Sequence, residues 1–156
     1  MISKRTIATI VTFFVAFVFI QSLFFKFSDS PETQYIFSTL DAWAIGLGLP
    51  GLFSKSGIAS QYVVGTAELI ASVLLLLALF PALRGLRVPG AALGLGVISG
   101  AIFFHLFTPL GVAVVNADGS SDGGLLFAMA CGVWLSCAWL LWHSRERIEA
   151  LIGRMA

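Results

Sequence analysis

Four stretches of this chain, Thr6–Phe25, Tyr62–Phe80, Val88–Phe107 and Gly124–Trp142, are almost free of charge and each runs close to the length of a membrane crossing. A hydrocarbon layer roughly 30 Å thick takes about 20 residues of helix to cross, because each helical residue rises about 1.5 Å. A backbone placed in lipid must satisfy its own N–H and C=O groups, which restricts such segments to helices or closed barrels. Runs this long and continuous predict helices. Composition agrees: 58% of residues are apolar and 11% charged, and the mean hydropathy is +0.97, outside the balance of an ordinary soluble domain. The expectation is an all-α polytopic membrane protein, residues 1–156 forming a single antiparallel four-helix domain with the lipid bilayer as its main partner. The first span is long for the apolar region of a signal peptide, and no small-x-small cleavage site follows "SLFFKF", so it is expected to remain in the mature chain.

The basic residues set an orientation. Lys4 and Arg5 precede the first span, Arg84 and Arg87 sit between the second and third, and Arg145, Arg147 and Arg154 follow the fourth; only Lys26 and Lys55 fall on the other side. The positive-inside bias therefore predicts both termini in the cytoplasm. The opposite face carries Asp29, Glu32, Asp41, Asp118 and Asp122.

The connections are unequal. "PALRGLR" is a tight turn, whereas residues 27–61 form a long external link. Within it, "SDSPETQYIFSTL" predicts a short helix with Ser30 as cap, Pro31 in the first turn and Glu32 at the positive end. Ile36, Phe37 and Leu40 recur at helical spacing, and the link reads either as a lid over the outer end of the helices or as an interfacial anchor.

Polar groups can then be placed by depth. Glu68, in "GTAELIASVLLLLALF", falls about two turns, roughly 10 Å, below the external surface. Gln21 and Lys26 lie near the external end of the first span, His105 near that of the third, and Asp122 just before the fourth. A carboxylate in hydrocarbon must be neutralised, paired or solvated, so Glu68 is expected to face inward with Lys26 or His105 as partner. Two readings follow, a structural clamp or a ligand site of Gln21, Lys26, Glu68, His105 and Asp122. Gly65 and Ser72 share a face of the second span. Gly90 and Gly94, then Gly96 and Gly100, make two small-xxx-small pairs in the third, which predict close neighbours on two sides, and Ala128, Gly132 and Ser136 repeat the pattern in the fourth.

Several chemistries are disfavoured. His105 and His143 are expected at opposite membrane surfaces, which is wrong for a haem held by two histidines. Cys131 and Cys137, six residues apart on one helix, are about 9 Å apart along its axis and lack a CxxC spacing, so no dithiol site is evident. A metal site is not expected, there is no basic patch for nucleic acid, and no pattern assigns a catalytic group.

"QSLFFKF", "PETQYIFSTL", "GTAELIASVLLLL", "GAIFFHLFTPLGV" and "SDGGLLFAMA" together resemble the DoxX-like family of small four-helix bacterial membrane proteins, over about Gln21 to Ala130. The lysine ending span one and the glutamate of span two match Lys26 and Glu68; His105 and Asp122 match a narrower subgroup, although the "VAVVNADGSS" insertion lengthens the link before "DGG". The resemblance implies the bacterial inner (cytoplasmic) membrane and a link to membrane redox or thiol-stress processes. A subunit or binding protein is then expected, with quinone as a candidate ligand and a redox protein or other membrane subunit as candidate partner. The alternatives are an assembly factor without chemistry of its own and a small proton-coupled transporter.

Overall fold

The computed structural model describes residues 3–115 and 118–145, so Arg147 and Arg154 lie outside the described residues. Among the described residues five α-helices follow in order: α1 (Lys4–Phe27), α2 (Pro31–Gly46), α3 (Gln61–Leu77), α4 (Arg87–Phe107) and α5 (Leu125–His143), with a 3₁₀ turn over Pro81–Leu86 leading into α4. Among the described residues there is no strand, only a single bridge between Val115 and Ser121.

Local chemistry sets the boundaries. Ser3, Ser30 and Ser60 each cap a helix by accepting a hydrogen bond from the backbone N–H three residues on, which satisfies a donor that no helical carbonyl can reach. Pro31 occupies the first turn of α2 with Glu32 beside it, as the sequence predicts, and the helix then runs on past the expected segment to Gly46. The second span is shorter than expected. It ends at Leu77 rather than Phe80, because Pro81 holds Phe80 in an extended conformation (φ −73°, ψ 134°), and the chain turns through hydrogen bonds from Leu79 and Phe80 back to Leu76 and Leu77.

Three helical stretches, Lys4–Phe27, Pro81–Phe107 and Leu125–His143, are long and apolar enough to cross a membrane. The 17 residues of α3 are equally apolar but reach only about 26 Å. The outward faces carry large apolar side chains: Phe17, Phe24, Leu135 and Trp142 are 63%, 72%, 64% and 70% exposed. Water would penalise such surfaces and hydrocarbon does not.

Helix α3 packs on both α1 and α4, and α5 on both α4 and α1. The core between them includes Phe19, Leu75, Ile98, Val133, Cys137 and Leu140. A second apolar cluster joins Leu40 and Ala44 of α2 to Phe53, Leu110 and Val114, with Phe104 packed against it. Phe53 meets the Phe104 ring edge-on at 5.1 Å. Asp41 holds this loop back to α2 by accepting a hydrogen bond from the Phe53 N–H (3.1 Å).

The glycines of α4 do not behave alike. A Cβ at Gly90 would lie 3.0 Å from the Leu74 Cβ and 3.1 Å from the Leu75 backbone nitrogen, and one at Gly94 would lie 3.1 Å from the Cys137 Sγ. At Gly96 a Cβ would meet nothing within 4 Å, and at Gly100 only Phe104 of the same helix. Close neighbours do lie on two sides of α4, α3 at Gly90 and α5 at Gly94, but the expected second pair takes no part in it: Gly96 and Gly100 meet no other helix. In α5, Gly132 admits the Phe14 ring, to which a Cβ would approach within 3.1 Å.

Replacing Gly90 with leucine is expected to force α3 and α4 apart and destabilise the protein by about 1–3 kcal/mol. Gly96→Leu should leave the midpoint of thermal unfolding in detergent nearly unchanged. Equal losses for both variants would contradict this difference.

Candidate functional site

Lys26 is the penultimate residue of α1, and its stem lies against Gly65 of α3, where a Cβ would come within 3.4 Å of the Lys26 Cδ and 3.2 Å of the Phe27 ring. Gly65 thus leaves a channel along α3, and Lys26 follows it inward. The ammonium donates to Glu68 Oε2 at 2.9 Å and Oε1 at 3.2 Å, and to the Ser22 hydroxyl at 3.1 Å. Ser22 Oγ in turn lies 2.6 Å from Glu68 Oε2 and 2.8 Å from the Phe19 carbonyl. A single hydroxyl proton serves one acceptor at a time, and the carboxylate is the stronger. Only 7% of the Glu68 side chain and 15% of that of Lys26 are accessible, so the pair is sheltered, the lysine less completely than the glutamate. One turn deeper, Ser72 donates to the Glu68 carbonyl oxygen (2.8 Å).

A second polar assembly lies where the chain passes from α1 to α2 and enters α3. Asp29 adopts φ 54°, a left-handed conformation that few residues other than glycine, asparagine and aspartate tolerate. Its Oδ1 accepts from Gln34 (3.2 Å), Tyr62 (2.8 Å) and Gln61, and its Oδ2 from Lys55 (2.6 Å). Gln61, almost fully buried, also donates to the Lys26 carbonyl (2.7 Å) and accepts from Gln34 (2.9 Å). The last turn of α1 is thereby tied to the first turn of α3, and this tie sets the register that brings Lys26 opposite Glu68. The Lys55 ammonium, and after it Tyr62 and Gln61, hold the Asp29 carboxyl below its ordinary value; the same pair raises Lys55.

His105 and Asp122 form a separate station. The His105 ring is buried, its Nδ1 lies 2.7 Å from the Gly111 carbonyl, and Phe127 of α5 meets it edge-on at 5.7 Å. The Nδ1–H donates to that carbonyl. Asp122 accepts from Val114 (2.8 Å) and Gly124 (2.9 Å) at Oδ1 and from Leu126 (3.0 Å) at Oδ2, pinning the α4–α5 link to the start of α5. Burial pushes its carboxyl up, but the N–H donors of Leu126, Gly124 and Val114 outweigh this and leave it below the ordinary value. Both residues work within this link; neither bonds to Glu68 or Lys26.

The five residues expected to converge thus divide. Lys26 and Glu68 meet, His105 and Asp122 are engaged elsewhere, and Gln21 is exposed on the outer face of α1 beside Phe17, Ile20 and Phe24. Ser22 escaped the sequence reading although it is four residues before Lys26, a spacing that shares one helix face. The Asp29 assembly left no such signal, since most of its partners are brought together only by folding. Cys131 and Cys137 are both free thiols. Among the described residues no group of three or more metal-ligating side chains could hold an ion.

No family model, curated protein or solved structure matches the chain.

Because Asp29 is held below its ordinary value, its contribution to stability is fully present above the ordinary aspartate range near pH 4 and is lost as pH falls through its lowered value. Asp29→Asn keeps the backbone conformation but removes the charge. It should lower stability at pH 7 and flatten the loss that the wild type shows on acidification below about pH 4. An acid-unfolding curve unchanged in slope by the substitution would contradict this assignment.

Proposed function

We propose that this chain is a four-span membrane protein whose Lys26–Glu68–Ser22 cluster receives the polar headgroup of a small lipid-borne ligand, a quinone being the chemistry that fits best. In this reading the pairwise packing of α1, α3, α4 and α5 is a transmembrane bundle, and α2 with its following loop is a lid on the outer end. The termini face the cytoplasm of a bacterial inner membrane. That orientation is supported by the count of basic residues, seven assigned to the inner side against Lys26 and Lys55 on the outer.

The observation that carries the ligand reading is the sheltered ammonium. Its 3.2 Å contact to Glu68 Oε1 is the longest of its three, and 15% of the lysine side chain is accessible. A quinone carbonyl approaching from the lysine side would replace that contact and accept a charge-assisted hydrogen bond, while Glu68 Oε2 and Ser22 hold the ammonium in place. Glu68 lies within reach of a proton on a reduced headgroup. The protein would act as a subunit or binding protein in membrane redox or thiol-stress chemistry, as its resemblance to DoxX-like proteins suggests. A second reading, that the cluster is a clamp in an assembly or accessory factor, draws support from the fact that both Glu68 oxygens already have partners within the chain.

Gently purified wild type, Glu68→Gln and Lys26→Met, analysed by native mass spectrometry and lipid extraction, separate these readings. Retained quinone in the wild type, reduced about tenfold or more in both folded variants, a change of about 1.4 kcal/mol or more, is the expected result. Equal retention in all three overturns the ligand reading. An empty protein carrying the same partner chain in every form establishes the accessory one.

A further inference from the structure

Gln21 is an amide with no hydrogen-bond partner among the described residues, and it sits on an otherwise apolar surface. It lines a shallow groove of about 420 Å³ on the outer face of α1, with Phe13, Phe17, Ile20 and Phe24 at helical spacing and Leu76 of α3 beside them. The 24 residues of α1 reach about 36 Å, roughly 6 Å more than a hydrocarbon core. Gln21, six residues before the end of α1, then falls about 6 Å inside that core. An unpaired amide at such depth is unfavourable, and the helix backbone around it is already hydrogen-bonded. Ser22 and Lys26, the nearest polar side chains on α1, are engaged with Glu68.

We propose that the outer face of α1 is a self-association surface, on which two copies of this chain pack in parallel with Gln21 of one hydrogen-bonded to Gln21 of the other. The inference rests on placement in a membrane and is independent of the ligand assigned to Lys26 and Glu68. Two copies inserted with the same orientation can be related by a two-fold axis only along the membrane normal. Any side chain near that axis then meets its own counterpart at the same depth. Few side chains gain from meeting themselves in hydrocarbon. A carboxamide does, because its carbonyl oxygen accepts from the partner's N–H₂ while its own N–H₂ donates in return. The aromatic residues one turn above and below, Phe17 and Phe24, would fill the grooves on either side and shield the amide pair from lipid. A lipid ester carbonyl is the competing partner for Gln21, but such carbonyls belong to the interfacial layer, shallower than this position.

Cysteine trapping in native membranes tests the surface. The wild-type chain, with Cys131 and Cys137, sets the background. Gln21→Cys should give a disulfide-linked dimer well above it, whereas Phe103→Cys, exposed at a comparable level on α4, should not. Energy transfer between labelled copies in liposomes provides a second readout: Gln21→Leu, an exposed and apolar replacement, should raise the dimer dissociation constant about 3- to 10-fold. Absence of a Gln21→Cys dimer, or an unchanged dissociation constant for Gln21→Leu, overturns the proposal and gives the groove to lipid. Ligand retention governed by Glu68 is read separately, so the two inferences can fail independently. Release of the chain from membranes by carbonate would instead overturn the membrane placement on which this one rests.

Discussion

An ammonium and a carboxylate brought together away from water constrain everything around them. In such a setting neither charge is tolerable alone, and removing one partner of a sheltered pair typically costs about 3–5 kcal/mol because the other is left uncompensated. Lys26 and Glu68 therefore need α1 and α3 in one register. Gly65 meets this need by leaving room for the lysine stem, and Ser22 by bonding to both charges at once. The small residues elsewhere act in the same way, with Gly90 and Gly94 admitting α3 and α5 against α4 and Gly132 admitting Phe14 against α5.

The pair could not maintain this register unaided, since Lys26 is the penultimate residue of its helix. Asp29 and Gln61 supply the missing constraint. Gln61 bonds the carbonyl of Lys26 itself, and Asp29 gathers donors from α2, from the α2–α3 loop and from the start of α3. The arrangement is a charged, water-facing assembly above and a sheltered ion pair about two turns below on α3. His105 and Asp122 do for the α4–α5 link what Asp29 does for the α1–α3 junction, each binding backbone groups that a turning chain leaves unpaired.

Depth was legible in the sequence and azimuth was not. Counting residues from the span ends puts Lys26 near the external end and Glu68 about two turns deeper, within reach of a lysine stem, and the charge argument then selects them as partners. The same count puts Gln21 and His105 at nearby levels but says nothing about direction. Gln21 is five residues from Lys26, about 140° round the helix, whereas Ser22, four residues away, is offset by only about 40°. That difference turns one side chain outward and the other into the cluster. His105 was lost to the site for another reason: the Gly111 carbonyl reaches it from a loop whose path no periodicity describes. The caps at Ser30 and Pro31 were readable because their physics is local, and the early end of α3 follows from Pro81, which was read only as turn punctuation.

The central claim is that Lys26 and Glu68 are energetically coupled and hold α1 to α3. A double-mutant cycle on unfolding in detergent, using Lys26→Met, Glu68→Gln and the combination, measures that coupling directly. The structure predicts that the double variant is more stable than the sum of the single losses implies, with a coupling of about 1–3 kcal/mol. Additive losses, with no coupling beyond error, would mean that the two charges do not depend on each other and would contradict the account.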